Sequence, residues 1–334
     1  MKMRNPLVRF LWRPIKLEKA QRIYLAATLL PLFTFAYMYY LGRPQLPIPA
    51  AVNVIGGTPA FQQVIYGGFG EDQFDRPLAV FSGNNRVYVS DTDNSRVIIF
   101  DLNGQRLLTF GQRGDSGGGN FIFPYGIVAD EARIFVADLQ QGRIHTFNSD
   151  GEFQGFFAET YSKNKTLRSP GALHLAGGKL YVTEIKRGRV LVFDLQSEEL
   201  LLEVGLDGDL FAPNGVTTDR EGNIYVVDTG HARIVVFAPD GNPLRVINGS
   251  AGGHGNSMLI NPRGIGLDRF GRLIVANNMA NSIAGFSLDG RHLFSFGSQG
   301  GGLTQFLMPN GLHIDQVGRI FIADSLNRRV VVYQ

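Results

Sequence analysis

The sequence predicts an all-β chain, a six-bladed β-propeller preceded by a single N-terminal transmembrane helix. Three observations predict it: a proline-led text that recurs six times, a long uncharged run near the N-terminus, and a lone strand standing ahead of the first repeat. The composition agrees. Glycine is 42 of 334 residues, hydrophobic residues are 44% and charged residues 18%. A disordered chain would be poorer in apolar residues and richer in charge. With no cysteine there is no disulfide framework, no thiol nucleophile and no Cys-ligated zinc.

Residues 1–22 form a basic tail in which seven Lys and Arg face one acid, Glu18, so the net charge of +3 conceals a slightly acidic remainder. The high pI of about 9.1 therefore belongs to the tail, and the main domain shows no electrostatic footprint for nucleic acid. Residues 23–41, IYLAATLLPLFTFAYMYYL, carry no charge. At 1.5 Å per residue the run reaches about 28 Å as a helix, close to the thickness of a bilayer core. Tyr37, Tyr39 and Tyr40 gather at its far end, where an aromatic belt meets headgroups. The positive flank predicts a cytoplasmic N-terminus and export of everything beyond Leu41, to the periplasm or cell exterior. A cleaved signal peptide is the competing reading, but the basic region and the apolar run are both long for one, and no small-x-small site follows. Residues 42–60, with Pro44, Pro47, Pro49 and Pro59, read as a stiff linker.

The repeats begin at Pro77, Pro124, Pro170, Pro213, Pro262 and Pro309, 43 to 49 residues apart. The first five each hold four alternating apolar runs separated by turns, which predicts a four-stranded antiparallel meander. Unit three departs, with LQSEELLLEVG in place of the glycine turn. Such sheets bury their faces by packing radially. The last unit stops after its third run, at Tyr333, while Phe61–Gly67 (FQQVIYG) reads like a fourth strand without a unit. Strand 61–67 is therefore expected to complete the last blade and close a propeller spanning 61–334.

The text P-x-G-I-x-x-D…G-x-I-Y-V-x-D-x-x-x-x-R-V/I-x-V-F resembles the NHL repeat. It is clearest in PYGIVADEARIFVADLQQGRIHTF, PNGVTTDREGNIYVVDTGHARIVVF and PNGLHIDQVGRIFIADSLNRRVVVY. The first unit lacks the glycine after its proline. The resemblance implies a propeller that serves as a binding module, as in RNA-binding, partner-binding and extracellular sensor domains; fold alone does not choose among these. Export and the acidic remainder speak against RNA.

A recurring acid ends the second run: Asp91, Asp138, Glu184, Asp228 and Asp324, each followed five residues later by Arg96, Arg143, Arg189, Arg233 or Arg329. In unit five both charges vanish together, leaving Asn277 and Ser282. Joint loss marks a structural ion-pair brace rather than catalytic carboxylates, because one partner left alone and partly buried is costly.

The position after each proline holds Leu78, Tyr125, Gly171, Asn214, Arg263 and Asn310. Radial symmetry brings these to one mouth, and Tyr125, Asn214, Arg263 and Asn310 are the candidate ligand- or partner-binding residues. On the resemblance, amidating lyases place zinc histidines near this level and lactonase-like propellers place calcium-binding Asn, Asp and Glu there. Here the position has neither histidine nor carboxylate, so no catalytic residue, metal or cofactor is expected. His174 and His313 lie deeper in their strands, three blades apart. Glycine-rich or basic connections at 111–120, 160–169, 249–258 and 297–305 gather on the mouth face, where binding usually resides. The expectation is a membrane-anchored, extracytoplasmic module for a protein or peptide partner, with no nucleic acid. A lyase or hydrolase at the channel mouth is the alternative.

Overall fold

The computed structural model describes residues 57–115, 118–164, 167–250 and 256–334. The expected tail at 1–22, the span at 23–41 and nearly all of the linker lie outside the described residues. Among the described residues no helix is long and apolar enough to cross a membrane.

Six four-stranded antiparallel sheets make up the propeller. Strand β1 (Phe61–Tyr66) comes first, then blade one as β2–β5 (Pro77–Gly83, Arg86–Asp91, Arg96–Asp101, Arg106–Phe110). Blade two is β6–β9 (Pro124–Ala129, Arg133–Asp138, Arg143–Asn148, Phe153–Phe156) and blade three β10–β13 (Pro170–Ala176, Lys179–Glu184, Arg189–Asp194, Leu200–Val204). Blade four is β14–β17 (Pro213–Thr218, Ile224–Asp228, Arg233–Phe237, Pro243–Ile247) and blade five β18–β21 (Pro262–Leu267, Arg272–Asn277, Ser282–Ser287, His292–Phe296). Blade six holds β22–β24 (Pro309–Ile314, Ile320–Asp324, Arg329–Tyr333). Its fourth strand is β1, which pairs antiparallel with β24, Val64 opposite Val331 and Tyr66 opposite Arg329. Ala60 and Gln334 exchange backbone hydrogen bonds of 2.8 and 2.9 Å at the start of that ladder.

The core is divided among the blade interfaces. Each apolar cluster draws on two neighbouring blades: Phe135 and Ile144 of blade two pack with Leu180 and Leu191 of blade three, and Ile65 and Val330 of blade six with Val80 and Ile98 of blade one. Alternating side chains of each twisted sheet thus bury both faces.

Glycine two residues after the proline sets how near the blades come at the axis. A Cβ on Gly126 would lie 2.2 Å from the Gly171 carbonyl oxygen, on Gly215 2.4 Å from that of Arg263, and on Gly311 2.6 Å from that of Leu78. Only a missing side chain allows first strands to abut so closely.

The recurring acid holds each mouth-side connection down. Asp91, Asp138, Glu184, Asp228 and Asp324 are fully buried. Four accept a backbone N–H bond from the segment entering the first strand of their own blade: Asp75 on Asp91, Arg168 on Glu184, Phe211 on Asp228 and Leu307 on Asp324, at 2.5 to 2.7 Å. The arginine five residues on pairs with the acid in blades one, three, four and six, at 2.6 to 2.8 Å. In blade five the Asn277 amide oxygen accepts the same kind of bond, from Ile260. Blade two departs from the expected brace. Arg143 lies 4.6 Å over the Phe156 ring, and Asp138 instead accepts four backbone N–H groups, those of Ile122, Phe123, Gln140 and Gln141.

Unit three keeps a tight third turn by another route. Asp194 to Glu199 form a loop one residue longer than Asp101 to Gln105 in blade one, and Glu198 takes the left-handed conformation (φ 60°) that Gly104 takes there. The sequence irregularity is therefore a lengthened turn, and strand pairing continues through it.

Candidate functional site

The four mouth residues meet. The Tyr125 hydroxyl lies 2.9 Å from Asn214 Oδ1 and 3.3 Å from Asn310 Oδ1, so its single proton spans the axis from blade two toward blades four and six. Arg263 Nη1 donates to the same Asn214 oxygen at 2.8 Å. Asn214 Nδ2 donates to the Ala212 carbonyl at 2.8 Å and contacts Thr229 Oγ1 at 3.1 Å, which orients the amide. Burial pushes the Tyr125 phenol up, so it stays protonated at neutral pH and acts as a donor to the amide oxygens. Sequence symmetry placed these groups around an open mouth. The structure links them into a hydrogen-bonded floor across the channel, and that floor separates two spaces.

Above it lies an open bowl of about 710 Å³, lined from all six blades. Its wall is apolar in places, with Leu139, Ile185, Met279 and Leu326, the last two exposed. The lining contains two arginines, Arg76 and Arg263, and no Asp or Glu. Arg76 is neutralised by Asp93 at 2.6 Å. Arg263 has no carboxylate partner among the described residues, and its Nε is shut off from solvent with no hydrogen-bond partner there.

Below the floor lies a chamber of about 100 Å³, lined by the inner strands. His174 and His313 both line it, which settles their orientation toward the channel. His174 Nε2 is 3.0 Å from Thr218 Oγ1, and the His313 ring lies 4.4 Å from that of Phe81. Burial lowers both to about 4, and at His174 the neighbouring His313 charge adds to the lowering. Both are neutral at pH 7. His145 is a core residue among Phe121, Phe153 and Phe156, likewise lowered to about 4 by burial. Among the described residues no three His, Asp or Glu side chains converge to hold a metal ion.

One set of residues had no sequence signal strong enough to single it out. The residue directly after the recurring acid, or after Asn277 in blade five, latches blade to blade: Thr92 donates to the Pro124 carbonyl at 2.8 Å, Thr229 to Pro262 at 2.7 Å, Asn278 to Pro309 at 2.9 Å and Ser325 to Pro77 at 2.7 Å. Blades two and three have Leu139 and Ile185 there, which turn to the bowl instead. Ile185 fills the place that Gly171 leaves open; a Cβ on Gly171 would sit 2.7 Å from Ile185 Cδ1. A switch from hydroxyl or amide to apolar at one repeat position was the available clue.

The glycine-rich connections on this face are partly ordered by backbone bridges, Arg113 with Phe121 and Gln299 with Phe306. The basic connection opens as a short helix, α1 (Glu159–Asn164).

Six four-stranded blades, a closing strand from ahead of the first unit and a buried acid behind the mouth loop of five blades define a six-bladed β-propeller. An NHL repeat model matches residues 212–237, the heart of blade four, including Asn214, Asp228 and Arg233. The protein named brain tumor of Drosophila melanogaster is 30% identical over 129 residues, which is 38% of this chain and 12% of that protein. Virginiamycin B lyase from Staphylococcus aureus, in a catalytically inactive form with quinupristin, superposes with a TM-score of 0.55 and 14% identity over 77% of this chain and 80% of that one. A Bacteroides thetaiotaomicron protein of unknown function gives 0.59 and 18%, over 78% and 69%. At such identity the solved structures share the fold alone.

Proposed function

We propose that the chain is a membrane-anchored, extracytoplasmic binding module that docks a protein or peptide partner on the mouth face of its propeller. The bowl carries this reading: a concave space of about 710 Å³ on the loop-bearing face, with an apolar wall and a few convergent polar groups on a closed floor. That is the make-up of a recognition site. The anchor rests on the uncharged run at 23–41 and the positive charges before it. The relation to Drosophila brain tumor supports an NHL propeller but covers too little of that protein to lend its partners.

A second reading, a lyase or hydrolase of the channel mouth, draws on the shared fold with virginiamycin B lyase and on the neutral pair His174 and His313. Those imidazoles lie beneath the Tyr125 floor, away from the bowl, which favours the binding module.

The absence of cysteine makes one experiment serve both halves of the proposal. Met279→Cys on the mouth face and Val317→Cys on the opposite face are treated, in intact cells, with a membrane-impermeant thiol-reactive photocrosslinker. The expected result is reaction at both positions and a protein adduct from Met279→Cys alone. Reaction only after lysis would overturn the topology, and an adduct from Val317→Cys alone would overturn the docking face.

A further inference from the structure

The bowl selects for charge as well as shape. Its lining has two guanidinium groups and no carboxylate, and one of the two, Arg76, is already neutralised by Asp93. Arg263 is not. Its partners are neutral, the Asn214 Oδ1 amide oxygen and the Tyr125 hydroxyl, and its Nε has none. A half-buried guanidinium without a counter-charge is an unfavourable arrangement that an arriving anion relieves, and carboxylate matches its planar fork. A dianionic phosphate would remain half-compensated by a single guanidinium.

The floor limits how an anion can arrive. Tyr125, Asn214 and Asn310 bridge the axis, so an extended chain cannot thread through and only a group projecting from above reaches Arg263. The bowl is open and its wall is made by all six blades, which suits a loop laid across it. Around the polar floor stand Leu139 and Ile185 on one side and the exposed Met279 and Leu326 on the other. An occupant that satisfies both levels carries one acid at its tip and apolar side chains beside it.

We infer that the bowl receives an aspartate or glutamate side chain, flanked by apolar residues, presented by a loop of the protein partner, with Arg263 as the counter-ion. This deepens the docking-face reading above and rests on it. The full-length chain in detergent is tested against pools of head-to-tail cyclic heptapeptides, which have no termini. One pool has a single glutamate among apolar positions and the other has glutamine in its place. A third, linear pool has a free C-terminus and no acidic side chain. The glutamate pool is expected to be retained at least tenfold more tightly than the glutamine pool. Arg263→Gln should bring the two to equal retention while the cooperative melt is preserved. Should Arg263→Gln fail to fold, the glutamate-to-glutamine ratio on the wild-type chain still decides. Equal retention of the cyclic pools, or retention of none, overturns the carboxylate assignment. Retention of the linear pool alone overturns the loop side chain as its source. Either failure beside a protein adduct from Met279→Cys leaves the docking face standing, and loss of that adduct counts against the face itself.

Discussion

Two arcs of the ring use one repeat position differently. From blade four through blades five and six to blade one, the residue after the acid, or after Asn277 in blade five, is Thr229, Asn278, Ser325 and Thr92, and each bonds the proline carbonyl of the next blade. In blades two and three it is Leu139 and Ile185, and there the wall of the bowl replaces the latch. Blade two also lacks the arginine brace, and blade three carries the lengthened turn at Asp194–Glu199. The latched arc ties each blade to the next through a hydroxyl or amide. In the unlatched arc blade three keeps its Glu184–Arg189 pair, whereas blade two relies on backbone N–H groups at Asp138, with apolar packing between the two, Phe157 against Phe135 and Phe193 among it. A propeller needs all six interfaces, yet not all by the same means, and the positions released from bracing are those that shape the site.

The largest test of this contrast removes the anchoring acid from each arc. Arg329 is 3% exposed and pairs with Asp324, so Asp324→Ala strands a buried charge and should destabilise by about 3–5 kcal/mol. Asp138→Ala strands only backbone donors and should cost about 1–3 kcal/mol. Urea denaturation gives both values; equal losses would erase the distinction between a charge-braced and a backbone-braced blade.

Acid should act on both arcs through the buried histidines. His145 and His174 lie in blades two and three and His313 in blade six, each lowered by burial to about 4 from an ordinary 6.5. The native state holds them neutral while the unfolded chain takes up protons below 6.5. Their contribution is therefore complete above pH 6.5, is lost as pH falls toward 4, and changes no further below that. By pH 5 each should cost on the order of 1–2 kcal/mol. Melting temperature against pH should fall across this window, and His313→Gln should make the fall shallower. An unchanged slope would mean that His313 does not stay neutral in the folded chamber.

The smallest effect concerns a single latch. Thr229→Val keeps the shape and removes the bond to the Pro262 carbonyl, for about 1 kcal/mol. Leu139→Thr tries the reverse exchange in blade two, and should cut affinity for a mouth-face ligand with little gain in stability. If Thr229→Val is silent, the latches are incidental to the ring.

The blade count was legible because each blade repeats its turn and acid chemistry at a fixed period, and that chemistry depends on local sequence. The convergence of Tyr125, Asn214, Arg263 and Asn310 was legible from the same period, since one repeat position maps to one radius. What the spacing could not convey was that these side chains would bond one another. That depends on side-chain reach across the axis, set by the close approach that Gly126, Gly215 and Gly311 permit. The blade-two departure at Arg143 was hidden for a similar reason: the residue type matches the repeat, and only the nearby Phe156 ring diverts it. The residues before position 57 carry their reading in hydropathy and charge alone.

The chain enters the propeller on the side away from the bowl. Arg272 Nη1 holds the Gly57 carbonyl at 2.6 Å, and β1 then runs from that face toward the mouth beside β24. In the proposed anchored arrangement, a pull between a tether ahead of residue 57 and a partner seated in the bowl would be directed along β1. The hydrogen bonds to β24 lie across that direction, so the load falls on the whole ladder together, in shear, instead of peeling it one bond at a time. Under the proposed anchoring, the seam that closes the ring would also be the place where mechanical force enters it, and its ladder is laid out to resist.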